Sequence, residues 1–181
     1  MNKKLMQEYD HIQFKQGLPF FEMVMSFMTS LSTVSFILNN DKLINLKEKD
    51  WVSMEGKWVK PRHFYPHDVV LNIQKGNFTF DNYINVCCCM LANTAYEAVK
   101  ERNDKSPEFE LFRHIRNASS HQNKFNFFPK EPSSPTYWKK ASIDHNLKGS
   151  RNPLYGTDCF GTFFGVPDII DLLKEIEKKQ I

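Results

Sequence analysis

The segment TFDNYINVCCCMLANTAYEAVKER, residues 79–102, decides the predicted fold. Its apolar residues recur at intervals of three and four, which is the spacing of one buried face of an α-helix. They are Phe80, Tyr83, Ile84, Cys87, Cys88, Leu91, Ala95 and Ala98. Asn77 or Thr79 is a suitable N-cap for such a helix. The sequence therefore predicts a long amphipathic helix over 79–102.

Three more segments carry the same periodicity and are predicted to be helices. They are residues 18–39, 107–122 and 168–179. Ser106 and Pro107 are typical of an N-cap followed by a first helical turn. Residues 137–165 are instead rich in glycine and turn residues, which predicts an irregular or β insertion. The predicted fold class is all-α: an antiparallel helical bundle forming a single domain, 1–181, with a small β-hairpin or loop insertion before the C-terminal helix.

Composition narrows the class of protein. Hydrophobic residues make up 41% of the 181 and charged residues 25%, which excludes a disordered or collagen-like chain. Three of the four cysteines are consecutive, and that spacing fits neither a disulfide framework nor a zinc site. Polar residues at Glu22, Ser26, Thr29 and Thr33 form a stripe along the first helix and argue against a membrane span. We predict a soluble cytoplasmic protein with no membrane partner.

The stretch between residues 41 and 76 has weaker patterns. Two short segments, 51–53 and 57–59, flank Glu55-Gly56 and are compatible with a hairpin. Residues 68–74 are compatible with either a helical turn or a strand. We interpret the two tryptophans of this stretch, Trp51 and Trp58, as packing residues rather than a ligand site.

The net charge is +3, and the basic surplus is local. Residues 100–140 contain nine basic and five acidic side chains, a charge of +4, so the rest of the chain sums to −1. An anionic partner is expected at this segment. The alternative is a mildly basic solvated surface.

The segment FRHIRNASSHQNKF, residues 112–125, lies inside this basic region. Arg116 offers a planar fork of donors that matches a phosphate, and a histidine such as His121 takes up and releases protons near neutral pH. The two are about 140° apart around a straight helix. Either the helix ends before His121, or two subunits combine their residues in one cleft. The alternative is a helix end at which these side chains only cap carbonyl groups.

The run Arg116-Asn117-Ala118-Ser119-Ser120-His121 resembles the signature of HEPN domains, in which an arginine and a polar residue, often Asn, precede a histidine. The resemblance extends with less detail over residues 77–181. It implies a helical bundle that dimerises through its motif helices and cleaves RNA without metal or other cofactor. It also implies a place in toxin–antitoxin or phage-defence systems, and therefore RNA, a second copy and an antitoxin protein as partners.

The resemblance also implies roles for particular residues. Arg116 would hold the scissile phosphate, and His121 would serve as general base or acid at the ribose 2′-OH or the leaving oxygen. Asn117 would support both. The flanking phosphates would be held by Arg113, His114 and Lys124. Other members of the family are inactive, so the alternative function is a non-catalytic dimer that binds RNA, a nucleotide or a protein.

Three phenylalanines follow the motif. Phe125, Phe127 and Phe128 lie beside Lys124 and Lys130 and are candidates for stacking on bases. The alternative is that they fill the core of the bundle or of a dimer.

Overall fold

The computed structural model describes residues 14–38 and 51–179, and these ranges contain five α-helices and two separate two-stranded antiparallel sheets. In chain order the elements are α1 (Phe21–Leu38), β1 (Val52–Met54), β2 (Arg62–Phe64), α2 (Pro66–Gln74), α3 (Phe80–Val99), α4 (Pro107–Ser120), β3 (Thr136–Trp138), β4 (Ala141–Ile143) and α5 (Val166–Lys179). The last residue of the first predicted helix and residues 41–50 lie outside the described ranges. The single domain predicted over 1–181 also extends beyond them and stays a prediction.

The predicted all-α class is wrong, because the chain has a mixed fold. One sheet pairs β1 with β2, placing Val52 opposite Phe64, and the other pairs β3 with β4, placing Thr136 opposite Ile143. Strands of three residues show almost no periodicity, whereas four long apolar stripes dominate the sequence pattern. The β3–β4 hairpin lies within the region for which an insertion was predicted, but the β1–β2 sheet makes a bundle of helices alone an incorrect description.

The chain divides into two compact units, each of which is described by itself. The first consists of the described residues of Met1–Ser26 and Cys88–Ile181. Its core is built from the apolar face of α5, the inner face of α4 and aromatic residues from the loops. Completely buried members are Phe20, Leu111, Phe112, Ile115, Phe125, Phe160, Ile169, Ile170, Leu172 and Leu173.

The second unit consists of the described residues of Phe27–Cys87. It contains the β1–β2 hairpin and α2, so the ambiguous residues 68–74 are helical. Pro66 begins this helix, at a position where its missing N–H leaves no hydrogen bond unmade. Within 14–38 and 51–179, no helix combines the length and the hydropathy required to cross a membrane.

Helix α4 carries the Arg/His motif and has well-defined ends. Ser106 is its N-cap, with φ −60° and ψ 151°, and Pro107 follows in the first turn. His121 is the C-cap and leaves helical geometry, with φ −108° and ψ 47°. Gln122 and Asn123 then take positive φ of 58° and 65°, a left-handed region that asparagine tolerates better than most residues. The chain therefore turns sharply directly after the motif.

Candidate active site

Arg116 lies near the C-terminal end of α4, with 33% of its side chain exposed. Its Nη2 donates to Glu97 Oε1 at 2.7 Å, and its Nη1 donates to Asn117 Oδ1 at 3.3 Å. The guanidinium carbon lies 5.6 Å from the centre of the Tyr96 ring, within cation–π range. The Nε atom is buried and has no hydrogen-bond partner among the described residues. The guanidinium is therefore oriented by three neighbours, and one of its donors is unfilled.

Glu97 is the acidic partner in this arrangement. Hydrogen bonds from Lys100 and then from Arg116 lower the pKa of the Glu97 carboxyl below its usual value. The Lys100 contact is 2.7 Å long, equal to that with Arg116. A charged carboxylate thus occupies part of the N–H edge through which the guanidinium would otherwise bind phosphate oxygens.

His121 is exposed at the end of α4. Its backbone N–H donates to Asn117 O at 3.1 Å and to Ala118 O at 3.0 Å, and its own carbonyl accepts from Lys124 N. These bonds hold the backbone while the imidazole makes no hydrogen bond to the described part of the chain. Because the helix ends at Ser120, the structure takes the first of the two geometries considered from sequence.

Asn117 connects the two motif residues. Its side-chain oxygen accepts from Arg116, and its backbone oxygen accepts from the His121 N–H. It is half-buried, so its position is restricted by packing. Asn117 therefore couples the position of the Arg116 guanidinium to the backbone of His121.

Arg113 lies in a different setting, with only 18% of its side chain exposed. Its Nε donates to Glu110 Oε2 at 2.9 Å and its Nη1 to Glu131 Oε1 at 2.7 Å. Its Nη2 lies 3.0 Å from Nε2 of His114. The structure places this arginine in an internal ion-pair network rather than among open phosphate-binding positions.

His114 is 1% exposed and belongs to the core of the first unit. Burial lowers its pKa to about 4, and the neighbouring positive charge of Arg113 contributes to the decrease. Since the arginine donates to Nε2, the neutral ring carries its proton on Nδ1, an atom with no partner in the described ranges. The ring edge lies against Phe127, with centroids 5.3 Å apart. The residue is thus a neutral core histidine.

The segment after the motif separates its aromatic residues between core and surface. Phe125 and Phe127 are 1% and 4% exposed and pack in the core, whereas Phe128 is 67% exposed. Lys124 is half-exposed and pairs with Asp158 at 2.7 Å. Phe125 and Phe127 therefore fill the core, and base stacking stays a prediction for Phe128 alone.

The local charge of +4 is largely compensated in three dimensions. Six of the nine basic side chains form ion pairs with carboxylates: Lys100, Lys105, Arg113, Arg116, Lys124 and Lys139. Several of these carboxylates come from outside the 100–140 segment, which a count along the sequence cannot reveal. The segment therefore does not present a uniform basic surface.

Sequence reasoning missed the contribution of α3 to the site. Asn93, Tyr96 and Glu97 lie on one helical face and meet α4, where Ser120 Oγ donates to Asn93 Oδ1 at 2.7 Å. Their spacing of three and four was visible as a polar stripe opposite the apolar one. Which helix this stripe would meet was not visible in a single sequence.

In the described ranges, no group of three or more His, Cys, Asp or Glu side chains is placed to hold a metal ion. Comparison with protein-family models, with curated proteins and with solved structures gives no match for this chain. The features of this chain that bear on function are therefore its own side chains and the short segment Arg116–His121 that resembles the HEPN signature.

Proposed function

We propose that this protein is a metal-independent endoribonuclease whose site is formed by Arg116, Asn117 and His121. The observation that carries the proposal is the connection through Asn117 between an oriented guanidinium and an exposed imidazole at a helix end. The resemblance of the same six residues to the HEPN signature supplies the choice of RNA as substrate. The proposed setting is cytoplasmic, in a toxin–antitoxin or phage-defence system, and the four free thiols are compatible with a reducing compartment.

The chemistry is a transesterification within the RNA. His121 accepts the proton of a ribose 2′-OH, and the 2′-oxygen attacks the adjacent phosphorus. The bond from phosphorus to the 5′-oxygen breaks, giving a 2′,3′-cyclic phosphate and a free 5′-OH. Arg116 stabilises the additional negative charge on the phosphoryl oxygens at the transition state.

The leaving 5′-oxygen needs a proton from a second group. A homodimer supplies it, because two copies bring two motif histidines to one cleft, one neutral and one protonated. The neutral imidazole is the general base of the step and the protonated imidazole is its general acid. This requirement is the chemical reason to propose a dimer in addition to the HEPN resemblance.

The test is cleavage of total RNA or transfer RNA by purified protein in the presence of EDTA. We expect wild type to cleave and His121→Gln and Arg116→Ala to lose at least about 100-fold in rate, the usual contribution of one acid–base group. His145→Gln, which alters a half-buried loop histidine, is the matched control and is expected to retain activity. Toxicity on expression that His121→Gln relieves would support the same conclusion.

Two results would contradict the proposal. One is cleavage by His121→Gln and Arg116→Ala at the wild-type rate, which would point to a contaminating nuclease. The other is the absence of cleavage by fresh wild type across RNA types and conditions.

The second candidate function is a non-catalytic HEPN-like dimer that binds RNA, a nucleotide or a protein partner. The Glu97–Arg116 ion pair favours this non-catalytic function, because the carboxylate already accepts a hydrogen bond from the guanidinium that catalysis would direct at a phosphate. Salt-sensitive RNA binding that His121→Gln leaves unchanged, without cleavage by wild type, would select this function.

A further inference from the structure

The β1–β2 hairpin presents both of its faces to solvent. All six residues of its two strands are exposed. An isolated two-stranded hairpin is at best marginally stable in water, and sheets normally bury at least one face. We therefore expect the exposed surface of this hairpin to bind a partner.

The exposed side chains of the hairpin are unusually aromatic. Trp58 is 86% exposed, Trp51 52%, Phe64 43% and Tyr65 39%. The interpretation of the tryptophans as packing residues is wrong for Trp58, which lies outward in the connecting loop, whereas the half-exposed Trp51 contacts the ring of His63. Several exposed aromatic residues on one short hairpin indicate a site of interaction. We call residues 51–65 the hairpin platform.

The geometry of the hairpin platform separates its rings. Trp51 meets the ring of His63 edge-on at 4.1 Å, beside the strands. Trp58 projects from the connecting loop, where Lys57 Nζ lies 5.1 Å from its ring centre. The loop is tight at Gly56, since an added Cβ would come within 2.7 Å of Val59 O. The rings are thus presented by a defined backbone and remain open to a flat partner.

The charge of the hairpin platform indicates the chemistry of that partner. Lys57, Lys60 and Arg62 stand against Glu55 alone, a net charge of +2. All four are exposed, and among the described residues none of the three cations forms an ion pair with a carboxylate. This contrasts with the compensated cations around the motif. Aromatic rings interleaved with unpaired cations are the combination that binds single-stranded nucleic acid.

We propose that the hairpin platform binds single-stranded RNA, with bases stacked on Trp58 and Trp51 and phosphates held by Lys57, Lys60 and Arg62. The choice of RNA over other anionic polymers rests on the proposed function. A second copy of the same surface would meet it with the same charge of +2, which disfavours self-association. Stacking on rings does not depend on base identity, so the platform would add affinity with little sequence preference.

The experiment uses the full chain carrying His121→Gln, so that binding is measured without cleavage. Labelled oligouridine is titrated by fluorescence anisotropy at low and at physiological salt. We expect Trp58→Ala to raise the Kd about tenfold, the usual effect of losing one stacked base. Lys60→Gln should weaken binding and reduce the dependence of log K on log salt by about one ion. Phe36→Ala is the matched control, because Phe36 is 62% exposed on α1, a helix without Lys or Arg, and it should leave the Kd unchanged.

Several outcomes would overturn the inference. They are an unchanged Kd for Trp58→Ala, an equal loss for Phe36→Ala, or equal affinity for a perfect RNA duplex, which offers no bases for stacking. Loss of dimerisation in Trp58→Ala with unaltered RNA binding would instead assign the surface to a second copy. If wild type fails to cleave RNA while Trp58→Ala loses binding, the hairpin inference stands and the nuclease proposal fails. If wild type cleaves RNA while Trp58→Ala binds it normally, the nuclease proposal stands and the hairpin inference fails.

Discussion

Helix α4 and its C-cap carry two arginine–histidine pairs in opposite surroundings. Arg113 and His114 lie in the core, where carboxylates neutralise the arginine and burial keeps the histidine neutral. Arg116 is half-exposed, and His121 lies at the exposed end of the same helix. The difference teaches that residue type alone does not make such a pair accessible: of these two pairs, only the second is open to solvent.

The two arginines differ in how well their carboxylate partners would be solvated if the arginine were removed. The carboxylate of Glu110 beside Arg113 is only 4% exposed, so water solvates it poorly and its charge depends on protein partners. Glu97 beside Arg116 is 45% exposed, and water readily replaces its partner. A buried charge left unpaired is strongly destabilising, whereas exposed ion pairs contribute little.

The largest predicted effect follows from this difference. Arg113→Met should lower the free energy of unfolding by about 3 kcal/mol, because the buried Glu110 carboxylate then keeps only its weaker contacts, with Lys105 at 3.6 Å and Asn103 at 3.1 Å. The identical change at the surface, Arg116→Met, should alter it by less than about 1 kcal/mol. Urea denaturation followed by circular dichroism measures both.

A double variant sharpens the comparison. Adding Glu110→Gln to Arg113→Met removes the buried charge that Lys105, at 3.6 Å, compensates less closely than the arginine did, and it should restore part of the lost stability. Equal destabilisation by the two single arginine variants would show that the contrast between the interior and exposed pairs is not energetic.

The second prediction concerns the two histidines and pH. His114 titrates at about 4 in the folded chain and near 6.5 when unfolded. Between these values only the unfolded state takes up the proton, so this contribution is fully present above pH 6.5 and is lost as the pH falls toward 4. The loss between pH 7 and pH 5 should be about 2 kcal/mol. Glu110, Glu131 and Arg113 face the ring, and the arginine hydrogen bond to Nε2 disappears when that nitrogen is protonated.

Two glutamine variants test this assignment through stability measurements from pH 7 to pH 5. His114→Gln keeps a neutral acceptor but cannot titrate, so its stability should decrease less steeply than that of wild type. His121→Gln makes the same substitution at an exposed position and is the matched control for it. An unchanged slope in His114→Gln would mean that other groups produce the acid sensitivity.

The sequence could predict the helices and the position of the motif, but not the difference between its two pairs. Periodicity marks 79–102 and 107–122 because each helix buries one continuous stripe. The fate of Arg113 depends on Glu131, which lies 18 residues further along and reaches it only through the tertiary fold. The β1–β2 hairpin was predicted with its second strand at 57–59, whereas this strand lies at Arg62–Phe64, and the aromatic residues that suggest a core are exposed.

The smallest predicted effect concerns Glu97, the carboxylate whose ion pair with Arg116 keeps this arginine from being free to bind phosphate. Glu97→Gln retains a hydrogen-bond acceptor for the guanidinium but removes the negative charge that an RNA phosphate must displace. If the proposed function is correct, RNA affinity in the His121→Gln background should increase about threefold, with a larger gain at low salt, where charges are less screened. Glu101→Gln is the matched control, since this exposed carboxylate removes the same charge nearby without contacting Arg116. An equal gain in both variants would trace the effect to net charge, whereas a decrease in Glu97→Gln would mean that the carboxylate orients the arginine for RNA rather than competing with it.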